Sequence, residues 1–287
     1  PSMLQLDSEM SASDLSLYKA LGAVGERLTG YPTVSVYEEF TPDKSKARHG
    51  TLTDWTYEEM GIISFGTELW DLERTAGVPK EGYYNLGPRD AATQRLVHNW
   101  VVENVGDQGF RPWEAFEHPQ LGPVEVGGMV YIWSYRNPPE KLLEEICHNN
   151  VMFNLKHAAA APRVEIDSVG VEALGADLHR VTAVVSNHGY LPTNLSDVAI
   201  QNGVAKPVTL TLECEGAELV MNLADVKLGN LAGRNERLYA YSNWGQQWAA
   251  VTKKVEWLVK SQASGAKLNV TAASEKGGTD RKSIGLD

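Results

Sequence analysis

The chain has 287 residues, with 26 Lys and Arg against 37 Asp and Glu and a formal net charge of −11, a balance that excludes most nucleic-acid binders, whose affinity rests on cations that neutralise phosphates. Its composition, 43% hydrophobic and 22% charged with 26 Gly and 13 Pro, lies in the globular range and outside the disordered, collagenous and disulfide-scaffold classes. Chains of this length bury roughly three quarters of their extended surface on folding, so Cys147 and Cys214 are expected as small buried hydrophobes, with one disulfide as the alternative.

Residues 1–10 have neither the basic start nor the apolar stretch of a secretory signal, and the chain opens on Pro1. No run approaches the roughly 18 to 20 apolar residues that span a bilayer. A soluble chain cut from something longer is expected, and the compartment stays open between a periplasmic or secreted one and the cytoplasm.

Leu15, Tyr18, Leu21, Val24 and Leu28 recur at helical spacing, after Ser11 and Asp14 at capping-box spacing and before Gly30 as a stop. An amphipathic helix follows over 13–28. TVSVYEEF (33–40) is β-rich and leads into a polar loop, after which IISFGTELW (62–70) reads as a largely buried strand. A second helix is expected over 89–105, with Leu96, Val97, Trp100 and Val101 on one face. A third follows Pro138 and Pro139, where proline suits a first turn, and runs through Leu142, Leu143 and Ile146 toward Ala161.

After Pro162 the texture changes to short β-rich segments punctuated by Gly, Asn and Pro, such as LHRVTAVVSNHG, PVTLTLEC and KLNVTAAS. Several strands with turn signals and no helical period predict an antiparallel sandwich. The expected organisation is a mixed α/β piece over 1–161 and an all-β accessory module over 162–287, with EKGGTDRKSIGLD as a last hairpin or a frayed end.

Generic catalytic patterns are mostly absent. Ser64 in GIISFG has the wrong spacing for a nucleophile elbow, no phosphate-binding glycine loop occurs, and neither C-x-x-C nor H-E-x-x-H is present. The seven histidines show no compact ligand spacing. One residue stands out: Glu68 lies among Ile62, Ile63, Phe65, Leu69 and Trp70. A carboxylate is costly to bury there, so it must pair, protonate or face a polar cleft at a strand end. From pattern alone, a strand-end glutamate meeting water or an ion-pair partner is the simpler reading.

DWTYEEMGIISFGTELWD (54–71) resembles the late catalytic region of the zinc carboxypeptidases, the carboxypeptidase A/B-like metallopeptidases, in which an Asp-Trp-x-Tyr stretch leads into a strand bearing the catalytic Glu-Leu. The matching residues are Asp54, Trp55, Tyr57, Glu68 and Leu69. TGYPTVSVYEEF (29–40), FRPWEAFEHPQLGPVEVGG (110–128) and NPPEKLL (137–143) are similar to a bacterial branch of that family, so the resemblance covers about residues 1–161.

The resemblance implies the second half of a mixed-sheet α/β catalytic domain that hydrolyses C-terminal peptide or related amide bonds. A zinc ion polarises the scissile carbonyl and activates water in such enzymes, and a glutamate takes the water's proton and delivers it to the leaving amine. That glutamate is here Glu68, with Phe65, Leu69 and Trp70 expected to exclude water around it. Tyr37 matches the mobile tyrosine that closes over the substrate's terminal carboxylate, with Tyr31 as a rival and core packing open to both. Thr53 falls where the family sets side-chain preference, and its small polar side chain supplies no charge for a basic substrate. Trp55 and Tyr57 are expected to pack.

The family's zinc ligands lie upstream of the matching region, and nothing in this chain replaces them. A peptide substrate, zinc and the upstream half of the catalytic domain are therefore the implied partners, without nucleic acid or membrane. This chain alone is expected to be inactive. In the module, the turn-rich NHGYLPTNLSD (187–197) suggests support or docking; Trp244, Trp248 and Trp257 could form a binding platform but more simply pack, and Asn194 and Asn269 head glycosylation sequons. The alternative for the whole chain is a noncatalytic binding or structural protein with a peptidase-like scaffold and a β module that binds a partner.

Overall fold

The computed structural model describes residues 9–41, 43–44, 50–79, 90–234 and 251–286. Helix α1 (Ala12–Thr29) starts where the Ser11 hydroxyl accepts the Asp14 N–H at 3.0 Å and ends at Gly30, whose φ of 73° suits a residue without Cβ. Two π-helical turns, Val36–Phe40 and Trp55–Glu59, flank the short helix α2 (Leu52–Asp54). Helices α3 (Leu72–Thr75), α4 (Ala91–Asn104), α5 (Tyr131–Ser134) and α6 (Glu140–Ala159) complete the helical part, with an antiparallel ribbon of β1 (Phe110–His118) and β2 (Gly122–Met129) between α4 and α5.

The three long helices lie where apolar spacing placed them. The β-rich segments before Ala160 do not follow the sequence pattern. Residues 33–40 include a π-helical turn, because the Ser35 hydroxyl caps the Glu38 N–H at 3.3 Å and starts a helical turn instead of an extended run. Residues 62–70 form no ladder with any described residue. Burial of Ile63, 1% exposed, and the lodging of Phe65 against helices hold this stretch without a neighbouring strand. No mixed sheet is therefore present among the described residues of 1–161.

Strands β3 (Val164–Ala173), β4 (Leu178–Asn187), β5 (Val208–Glu215), β6 (Ala217–Met221), β7 (Asp225–Gly229), β8 (Thr252–Ser261), β9 (Ala266–Ser274) and β10 (Gly278–Leu286) build two four-stranded sheets. Their orders are β3-β4-β8-β6 and β10-β9-β5-β7, with neighbouring strands antiparallel throughout. Alternate residues of the central strands point inward, so Val181, Val185, Trp257 and Val259 pack with Leu210, Leu268 and Val270 in one core. Each such fully buried side chain favours folding by about 1.5–3 kcal/mol. The final segment is a paired edge strand, and the Val164 N–H donates to the Gly277 carbonyl at 2.9 Å, tying the two sheets along that side.

The helical part and the sandwich share a second core. Leu17, Tyr18, Leu21, Tyr57 and Ile63 pack with Leu191 and Leu195, which belong to the β4–β5 connection. That connection carries the short helix α7 (Asp197–Gln201). Buried Asn187 fixes its start: Oδ1 accepts the Arg163 and Gly189 N–H groups, both at 2.9 Å, and Nδ2 donates to the Leu191 and Ala232 carbonyls.

Trp257 is a core residue whose indole N–H donates to the Leu223 carbonyl at 2.8 Å, so it is no surface platform; Trp244 and Trp248 lie outside the described residues. Asn194, 9% exposed, donates to the Ser196 carbonyl within the shared region, which leaves no room for a glycan in the folded chain. Both cysteines are free, and Cys147 is exposed rather than buried. Its position on α6 explains the difference: Leu143, Cys147, Val151 and Leu155 recur every four residues along one face, and all four are exposed.

Candidate active-site segment

The segment carrying Glu68 is anchored before and after that residue. Thr51 and Asp54 close a capping box, with the Thr51 hydroxyl accepting the Asp54 N–H and the Asp54 carboxylate accepting the Thr51 N–H at 3.2 Å. That box starts the turn presenting Trp55 and Tyr57. Tyr57 is 2% exposed and packs edge-on against Tyr18, whereas Trp55 is 54% exposed and contributes nothing to the core.

From Gly61 onward the chain crosses α1 and α6. The Gly61 and Ile62 N–H groups donate to the Tyr57 and Thr56 carbonyls, at 3.1 and 2.8 Å. The Ser64 hydroxyl lies 2.6 Å from that of Thr56, and Phe65 is surrounded by the rings of Tyr18, Phe153 and His157 at 5.4–5.5 Å. Burial lowers the His157 pKa below its ordinary value against the opposing effect of a backbone hydrogen bond with Ile63. Burial also drives the Tyr18 phenol well above its usual range. Both groups are thus held neutral at physiological pH.

Gly66, Thr67, Glu68 and Leu69 are all exposed. Glu68 is exposed and makes no hydrogen bond or ion pair with the described residues. The chain is caught again at Trp70, whose φ of 74° is unusual for a bulky L-residue. Its backbone N–H donates to the Tyr31 hydroxyl at 3.1 Å, its indole N–H donates to the Ser134 carbonyl at 2.7 Å, and its ring tilts against Trp100. Such a conformation costs about 1–3 kcal/mol and persists only where its surroundings enforce it.

Thr53 stays near the segment, since a side chain begun at Gly66 would meet the Thr53 methyl at 3.8 Å. Tyr37 is not bonded to the segment; it lies in the Val36–Phe40 turn beneath the Lys44 ammonium at 5.1 Å. Tyr31, its rival, is the tyrosine tied to the Glu68 stretch. The expected water-excluding wall does not form from these residues: Phe65 turns inward, Trp70 turns toward α5, and Leu69 is 56% exposed.

The sequence did not reveal Asp14 as a joint. Spaced from Ser11 as in a capping box, it aims its carboxylate elsewhere: Oδ1 accepts the Asp197 N–H at 2.7 Å, while Oδ2 accepts the Tyr57 hydroxyl at 2.8 Å and the Val198 N–H at 3.2 Å. Burial raises the Asp14 pKa above the ordinary value against the lowering effect of those three donors. Asp14 thus joins α1, the Tyr57 turn and the first turn of α7.

A second polar cluster sits at a bulge in β3, where Asp167 accepts the Ser186 hydroxyl and joins His188 Nε2 at 2.8 Å. Burial opposes the Asp167 charge, but hydrogen bonds from Ser186 and His188 outweigh it and leave the pKa low. The aspartate stands between hydroxyl and imidazole. A nucleophilic serine needs the imidazole in that middle place, so this cluster braces the bulge and does not activate Ser186.

Among the described residues, no group of three or more His, Cys, Asp or Glu side chains could hold a metal ion. Those residues therefore do not fit a zinc site. No helix among them is long and apolar enough to cross a membrane.

A sequence-family profile described as "Domain of unknown function (DUF8731)" matches residues 163–285, the sandwich. No curated protein matches the chain. Among solved structures, a conjugative transposon lipoprotein from Bacteroides eggerthii is similar at 7% identity, covering 44% of this chain and 96% of that one with a TM-score of 0.24. A likeness at that score carries no argument about fold or function.

Proposed function

We propose that this chain is the later part of a zinc metallocarboxypeptidase that hydrolyses C-terminal peptide or related amide bonds, with Glu68 as general base. The motif resemblance over 54–71 motivates the reading. The observation that carries it is the Glu68 side chain, exposed and without a hydrogen-bond or ion-pair partner among the described residues, between two fixed points, the ring-packed Phe65 and the strained Trp70. A base must reach a water molecule and change protonation state without breaking a structural contact, and this placement permits both. In the proposed reaction Glu68 takes a proton from the attacking water and passes it to the leaving amine. Thr53 lies close enough to the segment to border a substrate side chain, and Tyr37 is the proposed closing tyrosine.

The zinc ligands belong, in this proposal, to an upstream half of the catalytic domain. Support for such a partner comes from the exposed stripe Leu143, Cys147, Val151 and Leu155 on α6, and from Trp113 and Phe116 on a ribbon that pairs with no further described strand. Contiguous apolar surface and open strand edges are features that a covering chain stabilises. The same surface also suits the noncatalytic alternative, in which it binds a partner without chemistry.

The test is Glu68→Gln in a longer protein bearing a His-x-x-Glu pair and a later His upstream. Turnover of C-terminal peptides is expected to fall by about 10²–10⁴-fold, with stability within about 0.5 kcal/mol of the parent because the side chain being changed is exposed and has no partner among the described residues. A reconstituted assembly that binds zinc yet leaves C-terminal peptides intact overturns the assignment.

A further inference from the structure

The β4–β5 connection both packs on and hydrogen-bonds to the helical part. Leu191 and Leu195 enter the core beneath Ile63 and Tyr57. The Ser196 hydroxyl donates to the Gly61 carbonyl at 2.7 Å while accepting the Ala199 N–H at 3.2 Å, and Asn202 Nδ2 donates to the Glu58 carbonyl at 2.6 Å. Gly61, at φ 66°, approaches so closely that a Cβ there would stand 2.2 Å from the Ala199 Cβ. Two side-chain donors of the sandwich thus satisfy carbonyls of the turn that launches the Glu68 segment, and a glycine contact sets their separation.

We propose that the β4–β5 connection is a positioning element for the Glu68 segment, with Ser196 and Asn202 as the positioning residues, so that sandwich and segment order as one unit. The functional meaning of this mount rests on the reading of Glu68 as a base, but the coupling itself can be measured without any reaction. Carbonyls 58 and 61 lie on either side of the last turn before the segment. Fixing both sets the direction in which residues 62–65 leave that turn, and hence where the stretch ending in Glu68 begins.

Asn202 is exposed, so changing it leaves the core intact. Hydrogen exchange of the full chain, read by mass spectrometry on peptides covering 57–65, reports the Gly61, Ile62 and Ser64 amides, and a peptide from β9 reports global opening. Asn202→Asp, which keeps the shape but removes the donor, is expected to speed exchange in 57–65 by about fivefold, as loss of one hydrogen bond predicts. Adding Ser196→Ala is expected to raise this to about tenfold or more, with β9 unchanged. Exchange in 57–65 that stays at the parent rate in both variants, or rises only in step with β9, overturns the proposal. Because no peptidase assay enters, a failed Glu68→Gln test leaves the mount standing, and a failed exchange test leaves the peptidase reading standing.

Discussion

The Tyr57 hydroxyl donates to the Asp14 carboxylate at 2.8 Å, joining residues 43 positions apart, and the same carboxylate receives the Asp197 and Val198 N–H groups from the sandwich connection. A buried acid with three donors is stable only as a set. Replacing the acid with Asn keeps one acceptor oxygen but sets an amide donor against donors that had the other, whereas removing the tyrosine hydroxyl leaves two bonds in place.

Asp14→Asn is therefore expected to cost about 2–3 kcal/mol and Tyr57→Phe about 1 kcal/mol, and the double variant is expected to cost less than the two added together. Urea denaturation of the four proteins measures this. The pH dependence has a definite sign. Burial raises the Asp14 pKa above 3.8, so the native state binds this proton more readily than the unfolded chain. The contribution is fully present below that ordinary value and is lost as pH rises through the native one. The stability gap between the parent and Asp14→Asn should accordingly narrow as pH increases above about 4; a gap that widens contradicts the raised pKa.

Tyr31 and Tyr37 separate by structure where sequence left them as rivals. Tyr31→Phe removes the acceptor that holds the Trp70 N–H and is expected to cost about 1 kcal/mol. Tyr37→Phe touches only a partly exposed ring under Lys44, so stability should change by less than about 0.5 kcal/mol. Thermal unfolding of both variants checks the contrast. Equal losses would show that the hydroxyl of Tyr31 does not support the strained Trp70.

Helices α1, α4 and α6 were legible because apolar residues at helical spacing and their capping residues agree, as at Ser11 and Gly30. The sandwich was legible through short β-rich segments separated by turn signals, and the structure adds the alternating burial that runs along the whole of β9. Residues 62–70 misled because β-rich composition records burial, and Ile63 and Phe65 are indeed packed, but it does not record whether a neighbouring strand exists. Glu68 could be singled out from its sequence context. Asp14 could not, because its spacing from Ser11 already had a local explanation and its partners at Asp197 and Val198 are distant in sequence. The left-handed Trp70 carries no local signal either, since its conformation is enforced by Tyr31 and Ser134.

His157 gives a pH response of the opposite sign. Its imidazole stacks on Phe153 and meets Phe65 edge-on, and burial lowers its pKa below 6.5. The unfolded chain thus takes up the proton more readily than the native one. Its contribution is present above the ordinary value and is lost as pH falls through the native one. Stability should decline between about pH 7 and about pH 5 in the parent, with a shallower decline in His157→Phe, which keeps a ring but cannot charge. Denaturation midpoints across that range decide the matter, and identical slopes in the two proteins would remove His157 as the cause.

The two thiols should differ in reactivity in a way that also reports on the α6 face. Cys147 is exposed among Leu143, Val151 and Leu155, whereas Cys214 is partly buried and burial raises its thiol pKa. Thiolate availability and access both control alkylation, so Cys147 should react with a maleimide at least about tenfold faster than Cys214 in the chain alone. If the proposed upstream half covers this face, its addition should slow Cys147 while leaving Cys214 unchanged. Labelling Cys147 first, with a bulky maleimide, should then weaken the association. A Cys147 rate indifferent to the added half would place the covering surface elsewhere, because no group on that helix face could remain freely accessible beneath a packed partner.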